Sequence, residues 1–178
     1  LIFAQLFHGG MRAPESLTGK IPISASKIPF KDSSTGFTRA ASSSDIKRII
    51  QDFSLAAGRC VKAGFDGVEI HGAHGYLITQ FLGKNTNTRK DEWGGDISGR
   101  SKFLIEIYRS IKRIVPENFI IGVRISPEIV DMGIILEDSI KLVKKLKDEC
   151  IDFLHLSCWD IYKKSKQHPE DPKTLTEW

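Results

Sequence analysis

Four short, largely apolar segments alternate with longer stretches of helical periodicity, and this alternation restricts the chain to few folds. The segments are residues 2–6, 67–70, 119–125 and 151–156. None alternates strictly between apolar and polar residues along its whole length, and near-continuous apolar strands are typical of parallel sheets buried on both faces. The sequence therefore predicts an α/β fold in which right-handed crossovers connect the strands of one parallel sheet.

Apolar residues recur at three- and four-residue steps between the predicted strands. The first such stripe covers residues 46–61, with Ser44 as its predicted N-cap. Two further stripes cover residues 103–114 and 140–146. The predicted order is strand, long loop, helix, strand, helix, strand, helix, strand.

Two polar stretches interrupt this pattern within what we interpret as one domain, residues 1–178. Residues 18–43 are rich in Ser, Pro, Gly and Thr and are predicted to form an excursion loop. Residues 163–178 are polar and contain two prolines, which predicts a second loop. We expect neither stretch to contribute to the core.

Composition excludes several classes of protein. The net charge of +4 over 178 residues is mild, and the lysines between residues 141 and 147 have the spacing of a solvated helix face, so we expect no nucleic-acid partner. No run approaches the roughly 18 apolar residues of a membrane span. Cys60, Cys150 and Cys158 form no CxxC pair, which argues against a disulfide framework or a zinc knuckle. Free thiols indicate a reducing compartment, and we expect a cytoplasmic protein.

Polar side chains cluster where each predicted strand finishes. In a parallel barrel all strands finish on the same face, where active sites lie. Any one such residue could instead satisfy backbone groups in the following loop, but together they favour a site. The residues are Gln5, His71, Arg124, Ser126, Ser157 and Trp159.

The densest cluster surrounds His71 and His74. Two imidazoles three residues apart on a turn or helix start lie on one side, where both could donate hydrogen bonds to one carbonyl oxygen and polarise it. A metal site is an alternative, although no third ligand is apparent nearby in the sequence, and so is a purely structural pair.

The residues around this cluster resemble a known family. Residues 65–77, FDGVEIHGAHGYL, and the following 80–82, QFL, closely resemble the fourth-strand signature of the Old Yellow Enzyme-like NADH:flavin oxidoreductases, which are FMN-dependent ene-reductases. Residues 87–103 resemble the segment that follows, and 5–10 and 122–126 resemble the third and fifth strands. The resemblance covers essentially the whole chain. It implies a (β/α)8 TIM barrel, of which this chain contains strands three to six.

The chain is therefore expected to be an internal fragment. It lacks an initiator Met and starts as if inside a strand. A (β/α)8 barrel typically needs about 250 residues. We expect strands one, two, seven and eight, together with the FMN phosphate site, to lie outside it, and the isolated fragment to be inactive.

The resemblance also implies roles for individual residues. Gln5 and Arg124 would bind the flavin, with Arg124 near N1 and O2. His71 and His74 would bind the substrate carbonyl, and His71 would also touch the flavin. Tyr76 would be the proton donor. The implied enzyme takes hydride from NAD(P)H through FMN and reduces activated alkenes of the enone type.

The loop after the fourth-strand signature is interpreted as a scaffold without catalytic residues. Four of its polar residues are expected to form a hydrogen-bonded network, and the glycine pair Gly94–Gly95 is expected to supply backbone of positive φ. The sequence departs from the family pattern at Gly83, Trp93 and Gly99, which affects the support of this loop. The network residues are Asn87, Arg89, Asp91 and Glu92.

Two alternatives to an ene-reductase remain open at this point. One is a larger relative that also carries an iron–sulfur cluster, whose cysteines would lie beyond residue 178. The other is a non-catalytic assembly module that keeps the motif without the phosphate site. Homo-oligomerisation and the choice between NADH and NADPH are also left open.

Overall fold

A computed structural model describes residues 1–178. The helices are α1 (Glu15–Thr18), α2 (Ser43–Lys62), α3 (Leu77–Leu82), α4 (Ile97–Lys112) and α5 (Leu136–Asp148). The strands are β1 (Phe3–Leu6), β2 (Ile23–Ser24), β3 (Arg39–Ala40), β4 (Gly67–Gly72), β5 (Ile120–Ile125) and β6 (Phe153–Leu156). Short 3-10 turns cover Gly10–Arg12 and Val130–Met132. No helix combines the length and apolar character needed to cross a membrane.

The four main strands form one parallel sheet in the order β1-β4-β5-β6. This confirms the predicted parallel α/β fold. β4 is longer than predicted and continues through His71 to Gly72, whereas β6 begins two residues later than predicted, at Phe153. The short helix α3, which directly follows the His71–His74 segment, was not predicted.

Helices cover one face of the sheet only. Apolar side chains of β4 and β5, such as Ile70 and Val123, pack with α2, α4 and α5 in a single core. On the opposite face Gln5 and His155 are exposed, and the ring of Phe153 lies across Gly122, where a Cβ would stand 2.1 Å from the ring. In this chain the sheet is therefore buried on one face, on which all three long helices lie.

The long helix α2 begins one turn earlier than its apolar stripe. Its N-cap is Ser42, whose hydroxyl accepts from the Asp45 N–H while the Asp45 carboxylate accepts from the Ser42 N–H. Ser44, the predicted cap, lies inside the first turn, so that prediction is wrong. Arg39 on β3 pairs with Asp45 at 2.6 Å, and this hydrogen bond holds the pKa of Asp45 well below its usual range.

Residues 18–43 leave the main sheet as an excursion but are not irregular throughout, because β2 and β3 pair in parallel within them. Ile23, Ala25 and Ala41 are buried in the main core. Arg89 fixes the segment by donating to the carbonyl oxygens of Ala25 and Ala41 at 2.9 and 2.6 Å. The expectation that this stretch contributes nothing to the core is therefore wrong.

Residues 163–178 also contribute a core residue. Leu175 is buried with Leu136 and Cys158 in a small second cluster. Its N–H donates to the Lys163 carbonyl oxygen at 2.7 Å, which closes the segment back on itself. Because the segment is polar on average, its composition did not predict that Leu175 is buried.

The loop between α3 and α4 is held as the sequence predicts. The Asn87 amide donates to the carbonyl oxygens of Phe81 and Trp93 at 2.7 and 2.8 Å, which crosslinks the two ends of the loop. Gly95 has φ of 81°, as expected, whereas Gly94 is required for space, since a Cβ there would stand 2.4 Å from a backbone oxygen. The accompanying ion pairs are Arg89 with Asp91 and Glu92 with Lys102.

Arg100 on α4 is the largest fully buried side chain. Its guanidinium donates to the carbonyl oxygens of Leu82 and Gly95 and to Asp138 on α5, the last at 2.6 Å. Lys84 also lies 3.2 Å from the Asp138 carboxylate. Burial works against ionisation of Asp138, but the two cations outweigh it and leave its pKa lowered. Arg100 thus joins α3, α4 and α5.

We expect Arg100→Ala to lower the free energy of unfolding by about 3–5 kcal/mol, because it leaves the buried Asp138 with only the half-exposed Lys84 as a partner and removes the donor of the Leu82 carbonyl group. The matched control is Arg113→Ala at the exposed end of α4, which should change it by less than about 0.5 kcal/mol. Urea unfolding followed by circular dichroism measures both. Similar values for the two variants would contradict the structural role of Arg100.

Candidate active site

The open face of the sheet carries a row of polar side chains set by strand register. Gln5 is paired with Glu69, and His71 with Arg124, which is in turn paired with His155. Side chains at register partners and at alternate positions along a strand lie on the same face. All five therefore lie on the face that no helix covers.

The predicted histidine pair is close in space. The ring centroids of His71 and His74 are 4.9 Å apart, and the Tyr76 ring lies 5.2 Å from His71. Phe7, which follows β1, packs 5.1 Å from Tyr76. His74 has φ of 60°, a conformation that few residues other than glycine adopt. This turn directs the His74 ring back towards His71.

Ser157, at the end of β6, joins His74 and Arg124. Its hydroxyl lies 2.6 Å from His74 Nε2 and accepts from Arg124 Nη2 at 3.2 Å. Ser126 after β5 accepts from the His74 N–H at 3.3 Å. Hydrogen bonds thus link His74 to residues at two of the predicted strand ends, those of β5 and β6. No group of three His, Cys, Asp or Glu residues is arranged to hold a metal ion.

The sequence predicted no role for two residues of this face, Glu69 and His155. Glu69 is buried, accepts from the Gln5 amide nitrogen and lies 2.8 Å from His155 Nδ1. These contacts turn the Gln5 amide so that its oxygen remains free to accept a hydrogen bond. Glu69 stands two residues before His71, so strand alternation alone could have placed it on this face. His155 required the register of β6.

Arg12, to which the sequence assigned no role, lies at the rim of the same face. Its guanidinium donates to the His74 carbonyl oxygen, and its Cζ lies 5.7 Å from the centre of the Tyr76 ring. At this distance a cation is attracted to the ring face. Arg12 therefore supports both the turn at His74 and the position of Tyr76.

The electrostatic environment keeps the two imidazoles neutral. Burial lowers the pKa of His71 to about 4, and the neighbouring His74 and Arg124 contribute further. Burial also lowers the pKa of His74, assisted by Arg124 and Arg12. A neutral imidazole offers one N–H donor and one acceptor nitrogen. Both rings are therefore available as uncharged hydrogen-bond donors near pH 7.

The sequence model of the NADH:flavin oxidoreductase / NADH oxidase family matches residues 1–177. The chain belongs to this family. The family match confirms the resemblance noted in the sequence, together with FMN and NAD(P)H as the expected cofactors.

Individual relatives agree with this assignment. The chain is 35% identical over 175 residues to a probable NADH-dependent flavin oxidoreductase, YqiG, of Bacillus subtilis, covering 96% of this chain and 47% of the relative. It is 40% identical over 156 residues to 12-oxophytodienoate reductase 7 of Oryza sativa, covering 80% of this chain and 39% of the relative. A solved Old Yellow Enzyme homologue from Zymomonas mobilis superposes with a TM-score of 0.77 at 34% identity, covering 88% of this chain and 47% of that one. This likeness confirms a TIM-barrel fold, of which the chain spans about half.

The open face has the hydrogen-bonding groups that a flavin ring needs. Arg124 Nε and His71 Nδ1 are buried and have no hydrogen-bond partner in the protein. The free oxygen of the Gln5 amide lies on the same face. Buried polar atoms are nearly always satisfied, so these groups call for a polar ligand laid against the sheet. They fit the polar edge of an isoalloxazine ring.

We expect the free energy of unfolding to fall as the pH is lowered from 6.5 to 4. In this window unfolded His71, with an ordinary pKa of 6.5, is protonated, whereas folded His71, with a pKa of about 4, is not. Urea titrations at several pH values measure the effect. The His71→Asn variant should show a shallower decline, and an equally steep one would show that His71 is not the group responsible.

Proposed function

We propose that the chain forms the flavin- and substrate-binding side of an FMN-dependent oxidoreductase that takes hydride from NAD(P)H and reduces activated, enone-type alkenes. When bound, FMN supplies the hydride carrier between the nicotinamide and the alkene. The rice relative is named for reduction of an oxo-dienoate, which is a substrate with a carbonyl group and carbon–carbon double bonds. The chain spans 39–47% of the length of the relatives described above, so this activity is proposed for the whole protein.

The observation that carries the proposal is a fixed guanidinium beside two neutral imidazoles on the open face. Arg124 makes no ion pair with a carboxylate, and its one hydrogen bond to a side chain goes to Ser157. Its positive charge is therefore available to stabilise negative charge at the polar edge of a flavin. Gln5, oriented by Glu69, would accept a hydrogen bond from the same edge.

His71 and His74 would bind the oxygen of the substrate. Their rings are 4.9 Å apart, which lets two N–H groups converge on one carbonyl oxygen. Such polarisation withdraws electrons from the conjugated alkene and makes its β-carbon accept hydride more readily. Because both rings are neutral, they donate hydrogen bonds without delivering a full proton to that oxygen.

Tyr76 would supply the proton to the α-carbon. Its ring stands 5.2 Å from His71, at the rim where a substrate held by the histidines would lie. A positioned phenol can donate its proton to an enolate-like carbon. Arg12 above the ring would hold it in place.

Tyr76→Phe should slow alkene reduction by about 100-fold or more, since proton transfer from a positioned side chain contributes roughly 10²–10⁴-fold. Reduction of the bound flavin by NADH or NADPH should change far less. Anaerobic stopped-flow absorbance at the flavin band separates the two half-reactions in the full-length protein. The matched control is Tyr162→Phe, in the exposed loop after β6. Equal slowing of both half-reactions by Tyr76→Phe would argue against a proton donor.

Arg124→Gln should shift the midpoint potential of bound FMN to more negative values, because the positive charge that favours reduced flavin is lost. Spectroelectrochemical titration measures the potential. Arg113→Gln, which removes a positive charge from the exposed end of α4, is the control. An unchanged potential in Arg124→Gln would separate Arg124 from the flavin.

A further inference from the structure

A cavity of about 270 Å³ opens beside His74, between the first turn after β1, the loop after β5 and the segment after β6. Three cationic side chains line it: Arg12 from the turn after β1, and Lys163 and Lys166 from the segment after β6. Apolar side chains of the loop after β5, among them Met132, form the rest of its wall. The cavity adjoins the histidine pair without containing His71.

The positive charge in this cavity is only partly neutralised within the protein. Arg12, Lys163 and Lys166 take part in none of the ion pairs of the structure, in which most of the arginines are engaged. Two carboxylates also line the cavity. That of Glu128 is buried and accepts from the Lys166 N–H at 3.1 Å, so it fixes the backbone that carries Lys166. The other, Asp131, is exposed, and the three cations outnumber the two carboxylates.

An aromatic side chain stands at the mouth of the cavity. Trp159 is 92% exposed, and its ring lies 6.2 Å from that of His74. Its φ of 67° is strained for a residue with a side chain. Strained backbone and a large exposed apolar ring both recur at ligand sites. The indole is thus held where it can cover a ligand that reaches from His74 into the cavity.

We propose that this cavity is an anion subsite, which receives a carboxylate or phosphate of the molecule whose reacting end lies at His71 and His74. The inference rests on the proposed function, which places that reacting end. The volume is below the roughly 300–1,000 Å³ of sites that enclose a whole small molecule, so the cavity takes only the charged end of a ligand. Lysine and arginine are the side chains that recognise both oxyanions. The oxyanion belongs either to an unsaturated acid or to the nicotinamide nucleotide.

The test is a binding measurement on the full-length, FMN-loaded, oxidised protein, so it does not depend on turnover. Isothermal titration calorimetry compares 4-oxopent-2-enoate, whose ketone can lie at the histidines while its carboxylate points to the cavity, with its methyl ester. It also compares tetrahydro-NADPH, which donates no hydride, with tetrahydronicotinamide riboside, which lacks phosphate. The variant is Lys163→Gln/Lys166→Gln, which removes two charges and keeps the side-chain length. The control is Lys164→Gln, in the same loop but outside the cavity.

We expect the double variant to raise the Kd of one anionic ligand about tenfold relative to its uncharged counterpart, as loss of charge-assisted hydrogen bonds predicts. A loss confined to 4-oxopent-2-enoate identifies a substrate carboxylate, and a loss confined to tetrahydro-NADPH identifies a nucleotide phosphate. Kd values for the anionic ligand should also rise with salt in the wild-type protein. The subsite is overturned if charged and uncharged ligands lose affinity equally, or if the double variant matches Lys164→Gln. Failure of the proposed function would appear separately, as absence of flavin reduction by NAD(P)H in the wild-type protein.

Discussion

The parallel register of β1, β4, β5 and β6 is the constraint on which the rest of the structure depends. Because the strands run in the same direction, the residues that end them are brought to one edge of the sheet. Because side chains alternate along each strand, Gln5, Glu69, His71 and Arg124 point to one face while apolar residues point to the helices. A slip of one residue between two strands would exchange the two sets. The chemistry and the core are therefore fixed by the same backbone hydrogen bonds.

Much of the fold could be predicted because local pattern and tertiary structure agree. Apolar runs, helical stripes and their order gave the parallel sheet, and the strand-end positions brought His71, His74 and Arg124 together. The errors arose where long-range contacts decide the outcome. Ala25 and Ala41 are buried where their carbonyl groups accept hydrogen bonds from Arg89, far along the chain. Composition alone does not reveal such contacts.

The residues of the site that belong to the motif could be predicted from the sequence. The residues that orient them could not. Sequence similarity supplied roles for residues inside the motif, whereas Arg12, Glu69 and His155 act through side-chain contacts that only the folded chain creates. Nearby positive charges also affect the pKa of His74. Burial is the main cause of the lowered pKa of His74, and the positive charges of Arg124 and Arg12 lower it further, so the neutral form is favoured. Hydrogen-bond donation without ionisation is thus a property of the surroundings of the imidazoles as well as of the residues themselves.

The one-sided distribution of helices has an evolutionary consequence. Side chains on the open face point to the interior of the barrel and contribute to its packing, whereas substitutions in the segments that follow the strand ends can alter ligand preference without threatening the folding of the domain. Residues that anchor the opposite side, such as Arg100 and Ile70, are constrained by packing and have little freedom to vary. Divergence among paralogues should accordingly accumulate in the segments after β5 and β6. Because folding and ligand preference then depend on largely different residues, such a protein can acquire a new specificity through few substitutions.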